Sequence, residues 1–260
     1  MKIMLTGYNG RMGRAIIEAA ENKSNEFNIV VGVSAYPSAI NVTFPVFLTP
    51  SDYKEKVDII IDFSHHSTAD SYLEYANSTQ TPIVIATTGH TPEELNLIKS
   101  YSGKIAVFKS ANMSIGVNLV AELAKKAAML LKADFDIEII EKHHNQKLDA
   151  PSGTALMIAD EISSVFDGSD KPEYIYDRHN SRKERGKKEM GIHAVRGGTI
   201  IGEHEVIFAG TNELISISHS AQSREMFANG ALAAAKFLRG KAPGFYTMKD
   251  LIKEITGEKI

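Results

Sequence analysis

Short, β-branched, nearly all-apolar runs alternate with helical segments through the first half of the chain, and this alternation limits the fold more than any other feature. The runs are Lys2–Gly7, Asn28–Val33, Val57–Asp62, Pro82–Thr87 and Lys104–Phe108. A strand that is apolar on both faces must be covered on both faces, as parallel strands flanked by helices are. The segments Gly13–Asn22, Ser67–Ser78 and Thr91–Tyr101 carry helical spacing between them. The last opens Thr91-Pro92-Glu93-Glu94, a hydroxyl cap followed by proline and acids, which starts a helix well. A doubly wound α/β sheet is therefore expected.

The second half reads differently. Spacing predicts a long helix over Ser114–Lys132, a strand over Phe135–Glu141 and a helix over Thr154–Phe166. Strands are expected in Met190–Val195, Glu205–Gly210 and Glu213–His219. The last of these alternates polar and apolar residues, which suits a sheet with one face less buried. Arg224–Leu238 and Met248–Thr256 read as helices again.

Composition removes several function classes. At 260 residues the chain can hold one large domain or two small ones. A net charge of −3 offers no basic surface for nucleic acid. No apolar run approaches a membrane span, and Gly7 comes too early for a secretory signal, so no membrane partner is expected. The sequence contains no cysteine, which rules out disulfides, thiolate metal sites and a cysteine nucleophile. A cytoplasmic protein fits that reducing chemistry.

Gly7-Tyr8-Asn9-Gly10-Arg11-Met12-Gly13 follows the first strand and opens the first helix. Gly7 permits a tight turn, Gly10 lets a pyrophosphate approach the backbone, and Gly13 lets the helix pack closely. N–H groups at the helix start then bind phosphate, and Arg11 adds charge. This is a Rossmann-type dinucleotide site, although a glycine-rich turn without a ligand has the same spacing. At the end of the second strand, Val33-Ser34-Ala35-Tyr36 shows neither the acid that marks NAD nor the arginine that marks NADP. Ser34 can hydrogen-bond either ribose form and Tyr36 can stack on adenine. The lack of a repelling carboxylate leans towards NADPH, with use of NADH nearly equal. Asp62-Phe63-Ser64, Ala86-Thr87-Thr88-Gly89 and Ser110-Ala111-Asn112-Met113-Ser114 also end strands on the carboxyl side. Singly each is an ordinary turn or cap; together at one sheet edge they suit a nicotinamide ring and its carboxamide.

Glu141–Thr154, EKHHNQKLDAPSGT, carries the chemistry. Pro151-Ser152-Gly153-Thr154 starts a helix whose N–H groups can hold a carboxylate. Lys147 adds a full charge nearby, and a histidine at the strand end can donate a proton near neutral pH. The set suits reduction of a polarised C=C or C=N bond in an anionic substrate, with hydride reaching one atom and a proton the other. Adjacent His143 and His144 point apart at a strand end, so no metal site is expected. His65 and His66 read as part of a helix start, His90 as a loop residue, and His193, His204 and His219 as structural. The basic segment Asp177–Glu189 reads as a solvated, mobile loop, with a lid over an anionic ligand as the sharper alternative.

Glu138–Thr154 resembles the signature of the dihydrodipicolinate reductase family. Gly7–Gly13, Asp62-Phe63-Ser64, Thr87-Thr88-Gly89, Ala111–Ser114, Arg196-Gly197-Gly198 through Gly202-Glu203-His204, and Ser223-Arg224 with Phe227–Gly230 are similar to that family as well. The resemblance implies reduction of the cyclic dihydrodipicolinate or 4-hydroxy-tetrahydrodipicolinate intermediate to tetrahydrodipicolinate with NADH or NADPH, on the diaminopimelate route to lysine. It implies His143 as proton donor, Lys147 as its assistant, and His144, Lys147, Ser152, Gly153 and Thr154 as ligands of a small cyclic dicarboxylate. It implies a cofactor set of Gly7, Gly10, Arg11, Met12, Gly13, Ser34, Phe63, Ser64, Thr87, Thr88, Gly89, Ala111, Asn112, Met113 and Arg224. Met113 takes a place often held by phenylalanine. The implied fold is an N-terminal Rossmann domain over 1–113 and 224–260, and a smaller α+β mixed-sheet domain over 114–223 for substrate and tetramerisation. A homotetramer and domain closure are implied too, with Glu213–His219 as a candidate contact. The competing readings are another NAD(P)-dependent imine or amino-acid dehydrogenase and a non-catalytic nucleotide sensor. A semialdehyde dehydrogenase, which needs a cysteine, is excluded.

Overall fold

The computed structural model describes residues 1–36 and 40–257; residues 37–39 and 258–260 lie outside the description. The chain begins with β1 (Lys2–Thr6), α1 (Arg11–Glu21), β2 (Asn28–Val33) and the short β3 (Val46–Phe47). Next come β4 (Ile59–Asp62), α2 (Ala69–Thr79), β5 (Ile83–Ile85), α3 (Pro92–Tyr101) and β6 (Ala106–Lys109). They are followed by α4 (Ile115–Leu131), β7 (Asp136–His143), α5 (Gly153–Ser163), β8 (Glu173–Ile175) and β9 (Glu189–Arg196). β10 (Glu203–Ala209), β11 (Leu214–Ser220), α6 (Glu225–Leu238), β12 (Gly244–Tyr246) and α7 (Met248–Thr256) complete the described elements. They form two compact units, one of Met1–Ile115 with Arg224–Ile260 and one of Gly116–Ser223.

The first unit is built on a seven-stranded sheet in the order β12-β6-β5-β4-β1-β2-β3. Every pairing in it is parallel. Alternate residues of each strand serve opposite faces. Ile3, Leu5 and Ile61 pack under Ile16 of α1 and Ala231, Leu232 and Ala235 of α6. Met4, Ile60 and Ile85 pack under Tyr72 and Leu73 of α2 and Ile98 of α3. Each such side chain contributes about 1.5–3 kcal/mol on burial, which is why these strands tolerate almost no polar residue. The helix start expected at Thr91 forms and is a capping box, with Thr91 N–H donating to Glu94 Oε2 at 2.8 Å and Glu94 N–H to Thr91 Oγ1 at 3.2 Å. The chain runs outward from β1 to β3 and returns to β4 on the other side of β1. That reversal leaves a crevice at the carboxyl ends of β1 and β4, where doubly wound sheets bind ligands.

The second unit carries a mixed five-stranded sheet in the order β11-β10-β7-β9-β8. β10 is antiparallel to both β7 and β11, while β9 is parallel to β7 and β8. One face is sealed by Val120, Ala124 and Ala128 of α4 and Ala155, Ile158 and Ile162 of α5, over Ile137, Ile139, Val206 and Phe208. The opposite face, with Ile140 and Ile207 half-buried and Leu214 exposed, has no helix of its own unit over it.

The basic segment 177–189 is no free loop. Arg185 donates to Glu138 at 2.9 Å, Asp136 at 2.6 Å and the Ile137 carbonyl at 3.1 Å. Arg178 pairs with Glu189 at 2.6 Å, and Lys183 reaches the same carboxylate at 3.3 Å. Arg178, Lys183 and Arg185 pin an otherwise exposed, irregular segment to β7 and β9.

Candidate active site

In the first unit the glycine loop makes a cradle that side chains would fill. Gly7 has φ +74°, and a Cβ there would lie 2.3 Å from the Phe63 carbonyl oxygen. A Cβ on Gly13 would lie 2.3 Å from the Gly7 oxygen and 2.5 Å from the Tyr8 oxygen. Gly13 thus brings the helix close to its own loop, more than to the sheet. Gly10 is the N-cap of α1 and no side chain caps that helix start, so its first N–H groups are available to a phosphate.

A cavity of about 630 Å³ opens here. Gly10, Arg11, Met12, Phe63, Ser64, Thr87, Thr88, Ala111, Asn112, Met113 and Arg224 line it, together with His65, His66 and Phe227, which the sequence reading left out. A second cavity of about 590 Å³ shares Gly10, Phe63, Ser64 and His65 with the first and extends past Gly7, Ser34 and Tyr36. Tyr36 is 85% exposed, and its backbone is tied to the glycine loop by Asn9 Nδ2 at 2.6 Å from the Tyr36 carbonyl. Gly89, with φ +81°, follows Thr88 without lining either cavity.

Local interactions hold these strand ends. Fully buried Asp62 accepts hydrogen bonds from Thr6 and Ser64 side chains, which shapes the β1–β4 crevice. Lys109 Nζ donates to the Thr87 carbonyl at 3.1 Å and to His90 Nδ1 at 3.2 Å. Thr87 lines the cavity, and its Oγ1 is buried with no hydrogen-bond partner among the described residues. Gly230 of α6 lets the helix touch the Met113 backbone; a Cβ there would stand 1.7 Å from the Met113 oxygen. The cavity volumes, the uncapped helix start, the Cβ-free cradle and the unmatched Thr87 hydroxyl fit a dinucleotide.

The second unit brings the proton chemistry together. Along β7 the buried face carries Ile137, Ile139, Glu141 and His143, so the apolar core gives way to a carboxylate and an imidazole at the strand end. His143 Nδ1 lies 2.6 Å from Glu141 Oε2. Arg196, at the end of β9, donates to both Glu141 oxygens at 2.7 Å. It also donates to the Asp149 carbonyl at 2.7 Å, fixing the loop after the strand. Ser152 caps α5 by accepting from Ala155 N–H at 3.1 Å, while its own N–H donates to Glu141 Oε1 at 3.0 Å. Gly153 is exposed and Thr154 half-buried in the first turn. Lys147 Nζ sits 2.9 Å from Asp149. His144, half-buried, accepts Lys147 N–H at its carbonyl.

Burial pushes the His143 pKa down, as do Lys147 and Arg196, while Glu141 pulls it up; the net shift is downward. Burial alone would raise Glu141, but hydrogen bonds from Arg196, His143 and Ser152 outweigh it and keep the carboxylate ionised. His204, read as structural from the sequence, belongs to this network. It is 4% exposed, its Nε2 lies 3.0 Å from Ser152 Oγ, and its ring meets that of His143 edge-on at 5.3 Å. Burial first, then the neighbouring His143, lowers its pKa to about 4. Glu141 and Arg196 were also missed as functional groups. The sequence signals for Glu141 are its place in the Glu138–Thr154 stretch and its i, i+2 spacing from His143 on a strand.

The comparisons with known proteins agree with this geometry. The family model described as "Dihydrodipicolinate reductase, N-terminus" matches residues 1–113, and the one described as "Dihydrodipicolinate reductase, C-terminus" matches residues 116–252. The chain belongs to the dihydrodipicolinate reductase family. It is accordingly an NAD(P)H-dependent oxidoreductase with an N-terminal dinucleotide-binding region. A 4-hydroxy-tetrahydrodipicolinate reductase of Caldanaerobacter subterraneus is 50% identical over 254 residues, covering 98% of this chain and 99% of that protein. The one of Clostridium tetani is 50% identical over 248 residues, covering 95% of each. Among solved structures, a dipicolinate-bound dihydrodipicolinate reductase from a Paenisporosarcina species superposes with a TM-score of 0.79 at 25% identity, covering 95% of this chain and 97% of that one.

Proposed function

We propose that this chain reduces the cyclic dihydrodipicolinate or 4-hydroxy-tetrahydrodipicolinate intermediate to tetrahydrodipicolinate with NADH or NADPH, on the diaminopimelate route to lysine. One observation carries the reading to these residues: His143, Lys147 and the Ser152–Thr154 helix start are bound into one network around a buried carboxylate. When bound, the dinucleotide supplies hydride. Gly7, Gly10 and Gly13 shape its cradle, the α1 N–H groups and Arg11 take its phosphates, and the Phe63–Ser64, Thr87–Thr88 and Ala111–Met113 ends line its nicotinamide half. His144, Lys147 and the N–H groups of Gly153 and Thr154 take the two carboxylates of the substrate. His143 gives its proton to the reduced ring. Burial lowers the pKa of the imidazole in the empty protein. An arriving dianion reverses that balance and charges it where the proton is needed.

The decisive assay couples condensation of aspartate semialdehyde and pyruvate to this protein and follows NAD(P)H absorbance. Substrate-dependent oxidation is expected. Its absence with both cofactors defeats the proposal, and turnover of linear oxo acids instead points to an imine or amino-acid dehydrogenase. Binding of cofactor without any turnover marks a sensor. His143→Ala or Lys147→Ala should lower kcat roughly 100- to 10,000-fold with little change in cofactor affinity. The reading extends to a cytoplasmic homotetramer assembled through the uncovered sheet face that holds Ile140, Ile207 and Leu214. Light scattering on the purified protein tests that state, and a monomer at working concentration refutes it. Among the described residues, no helix is long and apolar enough to cross a membrane.

A further inference from the structure

Glu141 is 0% exposed, yet donors from separate parts of the second unit converge on it. They are His143 Nδ1 at 2.6 Å, both Arg196 terminal nitrogens at 2.7 Å and Ser152 N–H at 3.0 Å. We infer that Glu141 is a positioning residue: it holds His143 in the tautomer with the proton on Nδ1, and with the same carboxylate fixes the turn that receives a substrate carboxylate. This rests on the reductase reading.

The chemistry of the donors decides the tautomer. Arg196 and the Ser152 amide can only donate, and with the guanidinium held against both oxygens Glu141 accepts from both and its pKa is lowered, which keeps it ionised. A carboxylate in that state has no proton to offer His143. The short contact at Nδ1 is therefore an N–H donated by the imidazole, and Nε2 is left to exchange the reacting proton. Nε2 faces Gly202, where a Cβ would come within 3.0 Å of it. The charged groups around the ring otherwise oppose a charged imidazole, Lys147 on the following loop and Arg196 from β9, and burial acts in the same direction. Glu141 is the group in that shell that favours the imidazolium. It does for His143 what a buried aspartate does for the histidine of a serine-protease triad. A different role, simple neutralisation of Arg196, would leave the tautomer and the pH behaviour of His143 unaffected.

Two measurements test the inference. Long-range proton–nitrogen NMR on the ¹⁵N-histidine-labelled wild-type protein, with His143→Gln to assign the signal, should show the Nδ1–H tautomer. An Nε2–H tautomer overturns the proposal. Kinetics of Glu141→Gln should show the alkaline limb of kcat/KM moved to lower pH by about one unit or more. kcat should fall roughly 100-fold or more, and KM should rise for the dicarboxylate substrate while staying unchanged for NAD(P)H. Glu141→Asp should restore part of the pH limb. Loss of activity with the limb unmoved overturns the proposal. If the glutamine variant does not fold, the wild-type tautomer decides. The NMR measurement needs no substrate, so a failure of the reductase reading in the coupled assay is distinguishable from a failure of this one.

Discussion

Acidification from pH 7 to pH 5 should cost this protein stability through His204, and replacing that residue should remove the cost. His204 is 4% exposed, with Ser152 Oγ at 3.0 Å from Nε2 and no partner at Nδ1. Its pKa is about 4 in the folded protein, against a reference of about 6.5 in an unfolded chain. The unfolded state therefore binds the proton first as pH falls. Stability is fully present above about pH 6.5 and is lost progressively towards pH 4. The full difference corresponds to about 3 kcal/mol, of which about 2 kcal/mol is lost by pH 5. That is a sizeable share of a typical stability of about 5–15 kcal/mol. The assay is urea unfolding at pH 7 and pH 5, at one fixed protomer concentration and with constant m-values. His204→Gln keeps a hydrogen-bonding group near Ser152 but cannot titrate. It should lose about 2 kcal/mol less than wild type over this interval, whatever its stability at pH 7. His143 and His219 also have lowered pKa values and persist in both proteins, so the difference reports His204 together with its coupling to them. Parallel pH dependences for the two proteins would refute the reasoning.

Three further outcomes are expected. Gly13→Ala sets a Cβ 2.3 Å and 2.5 Å from two backbone oxygens, so the loop must shift; fluorescence titration should show weaker NAD(P)H binding, and thermal unfolding a loss of about 1–3 kcal/mol. Gly202→Ala crowds His143 Nε2 at 3.0 Å and should lower kcat while sparing cofactor affinity; unchanged turnover would show that Nε2 is not the reacting nitrogen. Binding of a pyridine dicarboxylate at neutral pH should take up a proton, because a dianion raises the lowered pKa of His143. Calorimetry in buffers of different ionisation enthalpy measures that uptake, and an enthalpy independent of buffer contradicts it.

The sequence disclosed elements whose residues answer to one environment. β4 is sealed on both faces, and it reads as the apolar run Ile59–Ile61 ending at Asp62. Thr91-Pro92-Glu93-Glu94 carries its own cap, and α3 begins there. The short strands β3, β8 and β12 gave no warning. Each holds only two or three residues at a sheet edge, too few for a period and partly exposed. The segment 177–189 misled for another reason. Its Arg185 pairs with Asp136 and Glu138, far away in sequence, and charge density does not reveal a distant partner. Arg196 and His204 escaped as functional groups because only strand register places them. Arg196 stands opposite His143 in the β7–β9 pairing, and His204 stands opposite Glu141 in the β7–β10 pairing.

The two ends of the chemistry encode their requirements in opposite ways. At the dinucleotide loop the requirement is for space: Gly7 and Gly13 act by lacking a Cβ that would strike backbone atoms, and any side chain there is an obstruction. A requirement of that kind is local and shows in spacing alone, which is why Gly7–Gly13 is legible without a structure. At the proton site the requirement is for matched charge. Glu141 can be fully buried only because Arg196, His143 and Ser152 meet all its acceptor demand, and while His143 and Ser152 belong to the Glu141–Thr154 stretch, Arg196 arrives from β9. The Arg196 part of such a set has no spacing to reveal it. The set also has no spare member, since removing the carboxylate leaves Arg196 without its partner, the imidazole without an orienting acceptor and the anion-binding turn without its anchor. Failure there should therefore spread over binding and proton transfer together, whereas failure at the glycine loop should stay confined to the cofactor.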